Sequence, residues 1–503
     1  MKNTVVRTVL GDPADGWSHR LRVEVAGRGV IGQAGIVLPR LLADRIGLTA
    51  GLRAVVARAG FRPGRDRGRL LTDVVAAMVA GASCVLDVEG VTRQTDLYGP
   101  SGGASDSTIL RALSEVAGQV RADGLPTPRL ARMLASVRAY AWGQILDQRE
   151  DGLLPPVRVA GRPLTRSDAE GVARPVTVIR LDATIIEAAT MKPGVAGHYK
   201  HGIGYHPLTA WCSNIGDPLV VMQRSGNAGS STGADHVKVL DRAIEQLPAA
   251  HRRDVLVTID GAGYSHEVIE ALASQNTHLK HGRRGRRIEY SVGWPHDERT
   301  QTAIAQLPAA AWTPGLAADG KPETDAEVAD LTGMLRHSLA GDRCDGWPTD
   351  MRIIVRRTPR PLTKPAQLGE DADFEYGAFA TNTCRGQLPW LDARHRTQAH
   401  VEDNIKELKA LGAAKLPSAD EGRNTAWLQL AGIAVMLTAW LRHLALDDDL
   451  KRAEPKKLRF RLLAAPARII HHARQLILRV GEDWEWAPHL ARAWDRLQAL
   501  HPA

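Results

Sequence analysis

The chain has 503 residues, 44% of them hydrophobic and 24% charged, which is enough apolar material for several domains around a large core. That balance excludes a disordered or fibrous polypeptide. The formal net charge of +9, with an isoelectric point near 9.5, points to a polyanionic partner.

Residues 1–172 read as mainly helical. A short strand is expected at Leu21–Val25 and a helix at Ile36–Ile46. Arg53, Arg58, Arg62, Arg65, Arg67 and Arg69 then crowd around Pro63-Gly64, as a solvated face or as phosphate contacts. Leu70–Ala80 has helical spacing, and Ser105–Thr108 can cap a helix running to Val116 with Arg111 on its exposed side. Short helices, Gly-rich turns and basic residues suit a helix-turn-helix reader, although small bundles of any purpose share that look. A further amphipathic helix covers Pro126–Asp147, and 150–172 reads as a Pro, Gly and Arg-rich linker.

Val176–Ile186 is a buried strand by its β-branched content, and Asp182 stands inside it. A carboxylate there either caps the strand end or is paired, most simply with a divalent cation. Strands are expected at His198–Cys212 and Asp217–Arg224, then a turn at Ser225–Asn227 and a helix over Gly233–Leu247. Asp254–Asp260 is the clearest short buried strand, with a helix starting near Ser265. Asp260 thus lies at the carboxyl end of a strand, where open α/β sheets place their sites. The Gly261-Ala262-Gly263 turn lacks the third glycine of a dinucleotide fingerprint.

A basic run, Arg283, Arg284, Arg286 and Arg287, leads into a β-rich stretch over 286–375, with strands at Ile288–Val292, Met351–Arg356 and Phe374–Thr381. Trp294 and Trp312 there are either core anchors or platforms for an unstacked base. From Arg394 the pattern is helical. His395, Gln398, Glu402, Lys406 and Lys409 share one face, either as a solvated Glu–Lys stripe or as a helix laid beside a metal and a phosphate chain. The apolar run Thr425–Leu441, broken by Gln429, reads as a buried core helix rather than a membrane span. The basic tail (Lys451, Arg452, Lys456, Lys457, Arg459, Arg461) suits DNA backbone better than a membrane, or is a solvated surface segment. His198, His201 and His206 have no standard zinc spacing. The scattered Cys84, Cys212, Cys344 and Cys384 imply reduced thiols, and Lys2 and Arg7 precede no signal-length apolar segment, so a cytoplasmic protein is expected.

Taken together, Leu181–Thr184, Gly204–Leu208, Arg224–Ala228, Ile259–Tyr264 and Glu402–Glu407 resemble the catalytic core of bacterial DDE transposases, nearest to the family of insertion sequence 1380. Gly29–Gly32, Ala80-Gly81 and Lys457–Arg461 are similar to that family's terminal regions. The resemblance implies a ribonuclease-H-like mixed sheet with flanking helices. Residues 173–285 and 376–450 would form the core, 286–375 a β-rich insertion and 1–172 a helical region for end binding and dimerisation. Residues 451–503 would be a basic helical tail. It makes Asp182, Asp260 and Glu402 the metal-binding triad. Two Mg²⁺ or Mn²⁺ ions about 4 Å apart, bridged by Asp182, would activate water and stabilise the leaving oxygen.

Relatives carry Tyr…Arg…Glu…Lys on the last catalytic helix. Glu402 and Lys409 fit, whereas His395 and Gln398 replace the first two, and Arg180 stands where a second Asp is often found. DNA contacts are expected from Lys406, Lys409, His395, Gln398, Asn227, Arg283, Arg284, Arg286, Arg287, Trp312, Arg111, Lys456, Lys457 and Arg459. The implied function is cut-and-paste transposition by a homodimer acting on double-stranded DNA at the bacterial nucleoid, with no membrane and no small-molecule substrate. Its rivals are a ribonuclease-H-like nuclease without strand transfer and a catalytically silent DNA-binding protein. A two-carboxylate glycosidase explains neither the basic balance nor the lysine stripe.

Overall fold

Runs of β-branched and apolar residues build one nine-stranded mixed sheet, seen in a computed structural model that describes residues 23, 25, 29–99, 102–168, 170–229, 233–278, 285–336, 346–361, 363 and 371–503. Its centre is β1 (Thr177–Ala183), whose first five residues are buried. β2 (Leu208–Cys212) and β3 (Asp217–Met222) continue from it as an antiparallel meander. On the other side β4 (Asp254–Ile259) runs parallel to β1, and β5 (Arg287–Trp294) parallel to β4. The strands β6 (Thr313–Leu316), β7 (Pro322–Asp330), β8 (Arg352–Pro359) and β9 (Phe374–Thr381) then extend the sheet with antiparallel pairings. The full order is β3-β2-β1-β4-β5-β9-β8-β7-β6. The stretch read as an insertion is therefore continuous with the central sheet, and its first strand is the core strand β5.

Helices cover this sheet. The N-terminal set comprises α1 (Val37–Arg45), α2 (Leu48–Val56), α3 (Arg67–Ala80), α4 (Asp106–Ala117) and α5 (Pro128–Asp147). Asp66 caps α3 by accepting from the Arg69 amide at 2.8 Å. Ser105 occupies the N-cap of α4 as expected, but its hydroxyl faces Ser107 and Thr108 and makes no capping bond. Later come α6 (Gly233–Gln246), α7 (His266–Gln275), α8 (Leu388–Arg396), α9 (Val401–Leu408), α10 (Glu421–Leu444) and α11 (Ala487–Ala499).

The core helix expected near 425–441 is α10, buried throughout its apolar window between α3, α4 and β3. It joins the N-terminal helices to the sheet, so one hydrophobic core runs through both. At its heart lies Asp217, fully buried at the start of β3. The Asp217 carboxylate accepts from Arg138 of α5 at 3.0 Å, from the Trp142 indole at 3.0 Å and from the Trp440 indole at 3.1 Å. One charge pair thereby fastens α5, β3 and α10 together.

Two sequence expectations need correction. The linker over 150–172 contains paired strands: Arg158–Val159 with Arg162–Pro163, and Thr165–Ser167 with Ala173–Pro175. The C-terminal region is not wholly helical, because β10 (Ala467–His472) and β11 (Gln475–Val480) form a hairpin whose inner strand pairs with Val30–Ile31. Its apolar pieces, Ile469-Ile470 and Leu476–Leu478, are short and set among basic residues, so the charge of the segment masked its strand character.

Replacing Asp217 with Asn strands the buried Arg138 charge and should cost about 3–5 kcal/mol in urea unfolding. A change below about 1 kcal/mol would show that Arg138 finds another partner.

Candidate active site

The strand register itself brings two carboxylates together. Leu181 of β1 pairs with Ile259 of β4, so Asp182 and Asp260 follow one step later on adjacent strands, which lie about 4.8 Å apart. Asp182 is half-buried, whereas Asp260 is exposed in the turn after β4. Glu402 lies in the first turn of α9. All three line one cleft of about 400 Å³, walled by Gly293, Trp294, His296, Tyr376, His395 and Arg396.

What turns Glu402 toward the strands is Gln398, one helical turn earlier on the same face. The Gln398 Nε2 donates to the Leu181 carbonyl at 2.8 Å, and its Oε1 accepts from the Thr258 hydroxyl. One amide thus spans β1 and β4 just before each aspartate. Arg180 adds a second tie, donating to Thr397 Oγ1 at 2.9 Å and to Ser213 Oγ at 2.6 Å. His395 adds a third through Ser291 Oγ on β5 at 2.8 Å, with its ring stacked on Phe379.

The electrostatics are those of an anionic cleft. Burial, then the neighbouring Asp260 and Glu402 charges, push the Asp182 carboxyl up to about 7, against one hydrogen bond from the Ala183 amide. Three hard oxygen donors of like charge fit a divalent cation such as Mg²⁺ or Mn²⁺ by their chemistry. Among the described residues, however, no group of three or more His, Cys, Asp or Glu side chains is placed closely enough to hold a metal ion.

Several residues expected on DNA have other partners. Gln398 is buried and spends its amide on the strands, so it positions α9 rather than holding phosphate. His395 is held neutral, its ring pushed down to about 3 by burial and then by Arg394 and Arg180, so it brings no charge to an anion. Trp312 is buried beneath the Arg357 guanidinium, 4.2 Å from its ring, which makes it a core anchor and not a base platform. Arg459 donates to the carbonyls of Val79, Met78 and Ala410 and ties the C-terminal region to α3. Arg286 and Arg287 sit at the start of β5, the opposite end of the sheet from Asp260, about 20 Å away by strand rise. Arg283 and Arg284 lie outside the described residues.

Other expected contacts stay on the surface. Lys406 is exposed beside Asp403 at 3.1 Å, Lys456 and Asn227 are exposed, and Lys457 pairs with Asp449 at 3.0 Å. Burial and the nearby Lys200 hold the Lys409 ammonium below the usual lysine range. Arg111 lines a separate cleft of about 750 Å³ with Arg58, Arg62, Arg65 and Arg67, which shares no residue with the carboxylate cleft.

The model of the family described as transposase DDE domain group 1 matches residues 15–502. The chain belongs to that family. No curated protein matches it. Among solved structures, a piggyBac transposase synaptic complex with hairpin DNA, seen by cryo-electron microscopy, aligns over 87% of this chain and 83% of its own. Its TM-score is 0.39 and its sequence identity 8%, too slight a likeness to carry weight.

This DDE-domain chain has a site residue that the sequence pattern passed over. Gly293 of β5 lies so close to the turn after β4 that a Cβ there would meet Gly261 N at 2.4 Å and the Asp260 carbonyl carbon at 2.8 Å. A glycine inside a strand pattern was the available signal, since it marks close backbone approach.

Two outcomes test this geometry. With divalent cations chelated, Asp182 should protonate as pH falls through about 7, so its contribution to folding is full below about 4 and lost as pH rises through 7. Asp182→Asn should therefore raise the melting midpoint at pH 7.5 and flatten that part of the profile; matching profiles would place the carboxyl elsewhere. Gln398→Ala should cut strand-cleavage rate by about a hundredfold with DNA affinity unchanged, by letting Glu402 drift. Full cleavage by that variant would remove Gln398 from the site.

Proposed function

We propose that this family member is a bacterial insertion-sequence transposase, of the insertion sequence 1380 family, that acts in the cytoplasm as a homodimer on double-stranded DNA. It binds the terminal inverted repeats, cuts the phosphodiester at each end and joins the freed 3′ hydroxyl to target DNA. The observation that carries this reading is the register that sets Asp182 beside Asp260, with Glu402 turned toward them by Gln398. Three antiparallel strands beside two parallel ones support a ribonuclease-H-like core, split between 173–285 and 376–450. Residues 1–172 serve end binding and dimerisation in this reading, and 451–503 add DNA contacts.

Asp182, Asp260 and Glu402 would hold two Mg²⁺ or Mn²⁺ ions, which when bound supply activation of water and stabilisation of the leaving oxygen. The chain's own residues do the rest. Trp294, His296 and Tyr376 wall the cleft beside the carboxylates. Lys406 on α9 and Lys409 just past its end follow Glu402 by roughly 6 and 10 Å of helical rise, and in this reading place cations where a DNA strand leaves the cleft.

The test uses purified protein and labelled DNA carrying the flanking inverted repeats, with and without Mg²⁺. Metal-dependent nicking at the repeat boundary is expected, falling by roughly a thousandfold or more in Glu402→Gln. Joining of a pre-cut end to a target plasmid separates a transposase from a nuclease that only cuts. Nicking that survives in Glu402→Gln would overturn the assignment.

A further inference from the structure

The hairpin of β10 and β11 carries features that fold stability does not account for. Its strands are joined by Ala473 and Arg474 alone, at φ 45° and 66°. Two left-handed residues in a two-residue loop match the twist of the strands, but Asn-Gly would hold them at lower cost. An arginine at the tip is therefore kept against backbone preference.

Charge points the same way. Arg468 and Arg479 stand directly opposite each other across the strands, where like charges destabilise. From Pro466 to Gly481 there is no Asp or Glu. Arg468, Arg474 and Arg479 are all exposed, and none pairs with a carboxylate among the described residues. Leu476 is 67% exposed beside them at the outer edge of the sheet. Guarding a free edge against aggregation would explain Arg479, which lies on the edge strand, but neither Arg468 on the inner strand nor Arg474 at the tip.

We propose that this hairpin is a DNA-binding wing. Arg468 and Arg479 take backbone phosphates on its face, and Arg474 leads the tip into the groove, for which a two-stranded ribbon is one of the shapes a groove admits. Phosphates between Arg468 and Arg479 relieve the repulsion that the free protein bears. A second copy meeting this hairpin with its own would oppose the same three cations, so a symmetric hairpin-to-hairpin contact is disfavoured. The wing rests on the reading of the chain as a DNA-processing enzyme, yet its cations are distinct from the catalytic carboxylates.

The experiment measures binding of inverted-repeat DNA across a salt series by the full chain carrying Glu402→Gln, with and without R468A/R474A/R479A. The triple variant should lose at least about tenfold in affinity at low salt, and its plot of log affinity against log salt should flatten by about 1 per arginine. An unchanged melting midpoint would establish that the surface hairpin still folds, and Arg474→Lys should keep the slope. An unchanged slope overturns the wing, as does a parent that binds no DNA. A shift in sedimentation without DNA, at unaltered DNA affinity, also overturns it in favour of a protein interface. End cleavage is scored in parallel with Glu402 intact. Cleavage with an unchanged slope sinks only the wing, whereas binding that needs the arginines without any cleavage sinks only the active-site reading.

Discussion

The candidate site depends on one buried amide. Gln398 touches the carbonyl before Asp182 and the hydroxyl two residues before Asp260, and it does so from the 3-10 turn Thr397–His400 that leads directly into α9, the helix that carries Glu402. A side chain so placed converts three separate elements into one geometry. The hydrogen bonds are short-range and directional, so they fix α9 in rotation as well as in distance. Arg180 and His395 widen the same anchorage to Thr397 and to β5. The helix is thus fastened to three neighbouring strands before any cation is considered.

Placing the carboxylates there has a cost that the rest of the molecule offsets. Asp182 is held toward its protonated form by burial and by like charge, which is an unfavourable arrangement in the free protein. Two other buried ions have opposite charges beside them. Asp217 is matched by Arg138 and two indoles, and Arg394 by Glu289. Asp182 has no such cation beside its carboxylate, which is the kind of perturbed group that marks a candidate site.

Much of this was legible in the sequence, and particular residues show why. The strands around Asp182 and Asp260 announced themselves because continuous β-branched runs mark buried central strands, and α10 because its apolar run is long. The polar stripe from His395 to Lys409 follows helical spacing, and three of its members, His395, Gln398 and Glu402, line the cleft. Spacing does not say which member of a stripe points down into the sheet, so Gln398 and His395 read as phosphate donors until their partners were seen. Trp312 and Arg459 misled for the same reason, since an aromatic or basic side chain carries no mark of burial. The continuity of β5 with β9 was hidden because strand pairing across a long loop is a tertiary fact.

The order of the sheet also sets the order in which the site comes into being. Asp182 lies in β1 and Asp260 directly follows β4, whereas Glu402 comes in the chain only after β6 to β9. A polypeptide that stops short of α9 carries two of the three acids and the whole central sheet, yet no complete site. Synthesis at the usual pace leaves an interval on the order of ten seconds between the second acid and the third. A chain that ends before α9 therefore lacks the third acid of the candidate site, whatever else of the sheet it has formed.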